Sequence, residues 1–146
     1  MSPMTTIYDG VWRRLHDEAV AAMRTAYVPY SGYPVGAAAL TTDGRLYTGC
    51  NVENAAYGVT LCAECGLISS LVRGGGGRLA AFACVDAEGS LVAPCGRCRQ
   101  LLWEHGGRDL RVALPGRIWG MDELLPEAFG VKDLEKVAAH EPQEDE

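Results

Sequence analysis

Along the N-terminal part of the chain, apolar side chains recur at Trp12, Leu15, Ala19, Val20, Met23, Ala26 and Tyr27. That spacing lines one face of a helix, and Asp9 just ahead of it is a candidate N-cap. Residues 28–34, Val-Pro-Tyr-Ser-Gly-Tyr-Pro, hold two prolines and a glycine and predict a loop. Two apolar runs, 35–40 and 45–52, then flank Thr-Thr-Asp-Gly, a turn signal that predicts a β-hairpin. Helical spacing returns at Leu67, Ile68, Leu71 and Val72, predicting a helix over 62–73 that stops at the glycines 74–77.

Beyond those glycines, 79–85 is a short apolar run closed by Asp86, which reads as a buried strand. Pro94 introduces a helix running through 99–105 and ended by Gly106 and Gly107. Residues 110–114 read as a further strand and 121–125 as a short helix. Helix, hairpin, helix, strand, helix, strand is the order of an α/β fold, a mixed sheet with helices on its faces. No repeat or linker divides it, so 1–139 is expected to form one domain. Residues 140–146, with Glu141, Glu144, Asp145 and Glu146, are expected to be a solvated, disordered acidic tail.

Composition narrows the function classes. Apolar residues make up 48% of the 146, enough for one sizeable core without disulfides. The net charge of −6 and pI near 5.0 provide no general attraction for nucleic acid or an anionic membrane surface. No run approaches the roughly 20 apolar residues of a membrane span, and the N-terminus lacks the pattern of a secretory leader; a cytoplasmic location is expected. In a reducing compartment the six cysteines point to metal or catalysis rather than disulfides. His16, His105 and His140 show no ligand spacing, and His105 near a helix C-terminus reads as a dipole contact.

The chemistry concentrates in Cys62-Ala63-Glu64-Cys65 and Pro94-Cys95-Gly96-Arg97-Cys98, each opening a predicted helix. Two Cys-x-x-Cys pairs about thirty residues apart indicate zinc. Two arrangements fit. Four thiolates would make a closed structural site; three, Cys62, Cys95 and Cys98, would leave a position open for water, with Glu64 beside it as a proton carrier. Cys50 and Cys84 fall within predicted strands and read as small buried side chains without chemistry.

Taken with Gly49-Cys50-Asn51-Val52-Glu53-Asn54-Ala55-Ala56-Tyr57, these motifs closely resemble those of the small homotetrameric zinc-dependent cytidine deaminases, over residues from about 11 to 130. The resemblance implies a three-layer α/β/α fold and the hydrolytic deamination of cytidine and 2′-deoxycytidine in pyrimidine salvage. It implies one Zn²⁺ per chain on Cys62, Cys95 and Cys98, and Glu64 shuttling protons between water, ring N3 and the departing ammonia. Asn51 and Glu53 match residues that hold the sugar hydroxyls, and Ala63 falls among the substrate-binding positions. Tyr33 takes the place of an aromatic stacked on the base, and Phe129 that of one inserted by a neighbouring subunit. The implied partner is a free nucleoside, not nucleic acid or membrane, with active sites at the interfaces of a homotetramer.

One position departs from the pattern. Many all-cysteine relatives carry arginine directly after Cys-Ala-Glu, where it donates to the zinc-bound thiolates; here Cys65 stands there. Cys65 is expected to be a neutral thiol beside the site, with Arg99 as the compensating cation. The competing readings are a deaminase of another aminopyrimidine nucleoside and a non-catalytic four-cysteine zinc-stabilised binding module.

Overall fold

A computed structural model describes the backbone of residues 3–138 and the side chains of 9–135; the acidic tail lies outside the described residues. Five strands form one mixed sheet, β1 (Gly36–Thr41), β2 (Leu46–Cys50), β3 (Leu79–Val85), β4 (Arg111–Leu114) and β5 (Arg117–Gly120). Their spatial order is β2-β1-β3-β4-β5, with β3 and β4 parallel and the other neighbours antiparallel. The parallel pair requires a crossover, which α3 (Gly96–Gly106) provides.

Strand alternation sorts the sheet's side chains onto two faces. Ala38, Ala81, Ala83, Val85 and Ala113 meet Leu15, Ala19 and Met23 of α1 (Pro3–Met23). Ala37, Ala39, Phe82, Cys84 and Val112 meet α3 and α2 (Ala63–Arg73) through Leu67, Ile68, Leu71 and Leu102. The result is the expected single-domain three-layer α/β/α arrangement. Small residues on the sheet let the helices approach closely. A Cβ on Gly36 would lie 2.0 Å from the Ala19 carbonyl oxygen of α1, and one on Gly49 2.2 Å from the Ala63 carbonyl oxygen of α2.

The predicted hairpin, the strand at 79–85 and the helices from 62 and 94 onward are present, with shifts of a few residues at most at their ends. Three features differ. Helix α1 begins at Pro3, so Asp9 lies inside it rather than capping it; a proline fits a first turn, where its missing N–H is not needed. Strand β5 was not anticipated, although Pro115-Gly116 between β4 and β5 is a turn signal and Gly116 has φ 84°. Helix α5 (Val131–Ala138) was also missed, and the short helix at 121 is α4 (Met121–Leu124).

Candidate active site

The cysteine motifs occupy corresponding positions on two helices. Cys62 is the N-cap of α2 and Cys95 the N-cap of α3, both with extended backbone and neither forming a side-chain cap bond. Their sulfurs therefore remain free while the helix starts behind them. Cys98 follows in the first turn of α3, and the Sγ atoms of Cys62, Cys95 and Cys98 all lie within 4.8 Å of one another.

Zinc fits this donor set. With bonds of about 2.3 Å, tetrahedral geometry separates ligand sulfurs by about 3.8 Å, and thiolates are zinc's preferred ligands. Burial pushes the thiols of Cys62 and Cys98 up from their ordinary value, and the Glu64 carboxylate raises both further. Burial also opposes ionisation of Cys95, but hydrogen bonds from Cys98 and Cys62 outweigh it and hold that thiol low. Such a cluster requires a cation to ionise fully, and the two helix N-termini add partial positive charge of about half a unit each. Cys65 is outside the trio: its sulfur accepts a hydrogen bond from Arg97 Nη2 at 3.3 Å, and its N–H donates to the Cys62 carbonyl. A set of three ligands leaves one coordination position open, which a closed structural site does not.

Beside the trio is a cavity of about 180 Å³ lined by Cys62, Ala63, Glu64 and Cys95 on the helix side and by Tyr33, Val35 and Asn51 on the other. Glu64, second residue of α2, is only 4% exposed, so its carboxylate is withdrawn from bulk water where it lines this space. Cys84, read from the sequence as a core residue, also borders the cavity. Its thiol donates to the Val92 carbonyl at 3.2 Å, and burial pushes its pKa well above the ordinary thiol value. Two signals for it were available: Cys84 lies on the sheet face that carries α2 and α3, and it stands one residue from the end of β3.

Asn51 follows β2 and ties the 28–34 loop to the sheet. Its Oδ1 accepts from the Val35 N–H at 2.8 Å and its Nδ2 donates to the Tyr33 carbonyl at 2.9 Å. Glu53 Oε1 accepts the N–H groups of Tyr30 and Ser31 at 3.0 and 3.1 Å. Hydrogen bonds from Ser31, with the Tyr30 N–H adding to them, hold the Glu53 carboxyl below its usual range. Tyr33 is 52% exposed at the cavity wall, whereas Glu53 does not line the cavity. Phe129 is away from it as well; the residue is 58% exposed and its carbonyl accepts from Gln100 Nε2 at 2.9 Å.

Arg99 is not positioned as the sequence suggested. Its Nε donates to the Pro94 carbonyl at 2.9 Å and its Nη1 to the Leu124 carbonyl at 3.0 Å, so it fastens the start of α3 to α4. One residue past Cys98 on the helix, its side chain is directed to these carbonyls rather than to a thiolate. Arg97 instead makes the contact with the α2 motif.

Residues 12–114 match the family described as the cytidine and deoxycytidylate deaminase zinc-binding region. The cytidine deaminase of Mycobacterium tuberculosis is 57% identical over 123 residues, covering 84% of this chain and 92% of that protein. That of Sporosarcina psychrophila is 43% identical over 131 residues, covering 86% and 96%. Among solved structures, the M. tuberculosis cytidine deaminase superposes with a TM-score of 0.80 at 57% identity, covering 82% of this chain and 98% of that one. The Mycobacterium leprae cytidine deaminase gives 0.78 at 55% identity, covering 80% and 98%.

Proposed function

This chain belongs to the cytidine and deoxycytidylate deaminase family, and we propose that it catalyses the zinc-dependent hydrolysis of cytidine to uridine and of 2′-deoxycytidine to 2′-deoxyuridine. Water adds at C4 of the ring, the bond from C4 to the exocyclic amine breaks, and ammonia leaves. The observation that carries this reading is the burial of Glu64 in the wall of the cavity that Cys62 and Cys95 also line.

Bound zinc supplies Lewis-acid activation of the attacking water. The rest is performed by the chain's own groups. Glu64 accepts the first proton of water and delivers it to ring N3, then accepts the second from the hydroxyl added at C4 and passes it to the departing amine, as one carboxylate within reach of these atoms can do. Its exclusion from bulk water keeps those protons in the site. Asn51 and Glu53 hold the sugar: among the described residues Glu53 Oε2 makes no hydrogen bond and can accept from a hydroxyl, and the Asn51 amide retains one donor and one acceptor site. Tyr33 stacks on the base and the Ala63 backbone borders it.

Phe129 gains a role only if it reaches another subunit's cavity, which makes the working species an oligomer, on the family's pattern a homotetramer. Sedimentation together with activity tests this, and a fully active monomer would refute it. No helix among the described residues is long and apolar enough to cross a membrane. A cytoplasmic place in pyrimidine salvage accords with the reading.

The deciding assay is loss of ultraviolet absorbance and release of ammonia when zinc-loaded protein meets cytidine, deoxycytidine or free cytosine. Turnover of both nucleosides with little of the base is expected. Absence of turnover with one tightly held zinc per chain would favour the binding module, and turnover only of a different aminopyrimidine nucleoside would change the substrate.

A further inference from the structure

The motifs of α2 and α3 are matched position by position: an N-cap cysteine, Cys62 or Cys95; a charged second residue, Glu64 or Arg97; and a third-position cysteine, Cys65 or Cys98. The charged residues have separate surroundings. Glu64 faces the cavity described above, while Arg97 lines a groove of about 330 Å³ with Cys65, Cys98 and Glu104 that shares no lining residue with that cavity.

We propose that Arg97 is the positioning residue of the zinc site, neutralising the three-thiolate cluster from this groove and latching α3 to α2 through Cys65. The inference rests on the three-cysteine reading above. Zinc with three thiolates carries a formal charge of −1, and the buried Glu64 carboxylate contributes a second negative charge. The helix N-termini offset only part of this, since each amounts to about half a charge. Arg99 is held by the Pro94 and Leu124 carbonyls, which leaves Arg97 as the cation whose side chain crosses from one ligand-bearing helix to the other. Glu104 borders the same groove but forms no ion pair with Arg97 among the described residues.

The hydrogen bond also has a geometric effect. Arg97 lies in sequence between the ligands Cys95 and Cys98, and Cys65 is bound through its own N–H to the carbonyl of Cys62. The contact from Arg97 Nη2 to Cys65 Sγ therefore closes a bracket that includes both ligand segments. Cys65 serves as the acceptor in that bracket and not as a metal ligand.

Full-length Arg97→Ala, Arg97→Lys, Cys65→Ser and the double variant Arg97→Ala/Cys65→Ser, each zinc-loaded, would be compared for zinc transfer to a chromophoric chelator and for cytidine kinetics. Loss of a group that supports metal ligands typically costs about 10–100-fold in affinity or activity. Arg97→Ala is expected to release zinc at least about ten-fold faster and to lower kcat with little change in KM. Arg97→Lys should restore part of both, and the double variant should be no worse than Arg97→Ala alone. Zinc release and kcat within two-fold of the parent in Arg97→Ala would overturn the proposal, as would a Cys65→Ser protein that cannot hold zinc. A Cys98→Ala protein that still held one zinc per chain would instead refute the three-cysteine site itself.

Discussion

Replacing Gly49 with alanine probes how the sheet places the reactive groups. Gly49 is in β2, an edge strand, where it rests against the first turns of α2. A Cβ there would lie 2.2 Å from the Ala63 carbonyl oxygen and 2.6 Å from the Leu67 nitrogen, both backbone atoms that no rotamer change can move. Restoring an ordinary contact of 3.4 Å requires the strand and helix to part by about 1.2 Å. That gap opens between Asn51, which follows β2, and Cys62 with Glu64, which begin α2, so it distorts the cavity directly. A displacement near 1 Å in a catalytic constellation costs about 100-fold in rate, and overpacking of this kind costs about 1–3 kcal/mol. Gly49→Ala should therefore lower kcat/KM for cytidine about 100-fold and the thermal midpoint by about 4–10 °C. Gly66→Ala is the control, because its new Cβ would approach nothing closer than 3.9 Å and alanine is the better helix former. A Gly49→Ala protein that kept kcat/KM within about three-fold and its thermal midpoint would refute the reasoning.

Three further perturbations have defined outcomes. Glu64→Gln should retain zinc but lose about 100- to 10,000-fold in kcat, read from ammonia release; near-normal turnover would remove Glu64 from the chemistry. Asn51→Ala deprives the Val35 N–H and the Tyr33 carbonyl of their partners, a cost of about 1–3 kcal/mol by denaturant unfolding. Because it also frees the Tyr33 wall, it should raise KM for cytidine, and an unchanged KM would show that this wall does not hold substrate. Glu53 titrates below its unfolded value of about 4.5, so its ionised form stabilises the fold above that pH and the contribution fades as pH falls through the lower, folded pKa. The difference in thermal midpoint between parent and Glu53→Gln should accordingly be constant near neutrality and shrink below about pH 4.5, whereas growth of that difference in acid would reverse the sign assigned here.

Periodicity made the central elements legible because each buries one face. The 79–85 run has its full length in β3, and the spacing of Leu67, Ile68 and Leu71 is the face α2 packs against the sheet. What escaped was structure with little periodic content. Strand β5 has four residues, two of them exposed, and its existence depends on the Pro115-Gly116 turn and on pairing with β4. Asp9 shows the converse error: a good capping residue sits in the interior of α1 because helical backbone extends beyond it to Pro3.

The two cysteine pairs show where sequence reasoning about the site ends. Cys62-x-x-Cys65 and Cys95-x-x-Cys98 have identical spacing, and each occupies the N-cap and third position of its helix. Spacing alone cannot say which of the four sulfurs is set apart. The difference is tertiary: Cys98 is buried and turns its sulfur toward the two N-cap thiols, whereas Cys65 holds its sulfur against Arg97. One set of local rules thus yields a metal ligand on one helix and a hydrogen-bond acceptor on the other. An arginine adjacent in sequence to a ligand, such as Arg99, can fasten helices together, while the cation that reaches the opposing motif, Arg97, lies two residues earlier, between the ligands. Sequence proximity identifies which charges are available, and the crossing of α2 and α3 decides which of them meets the sulfurs.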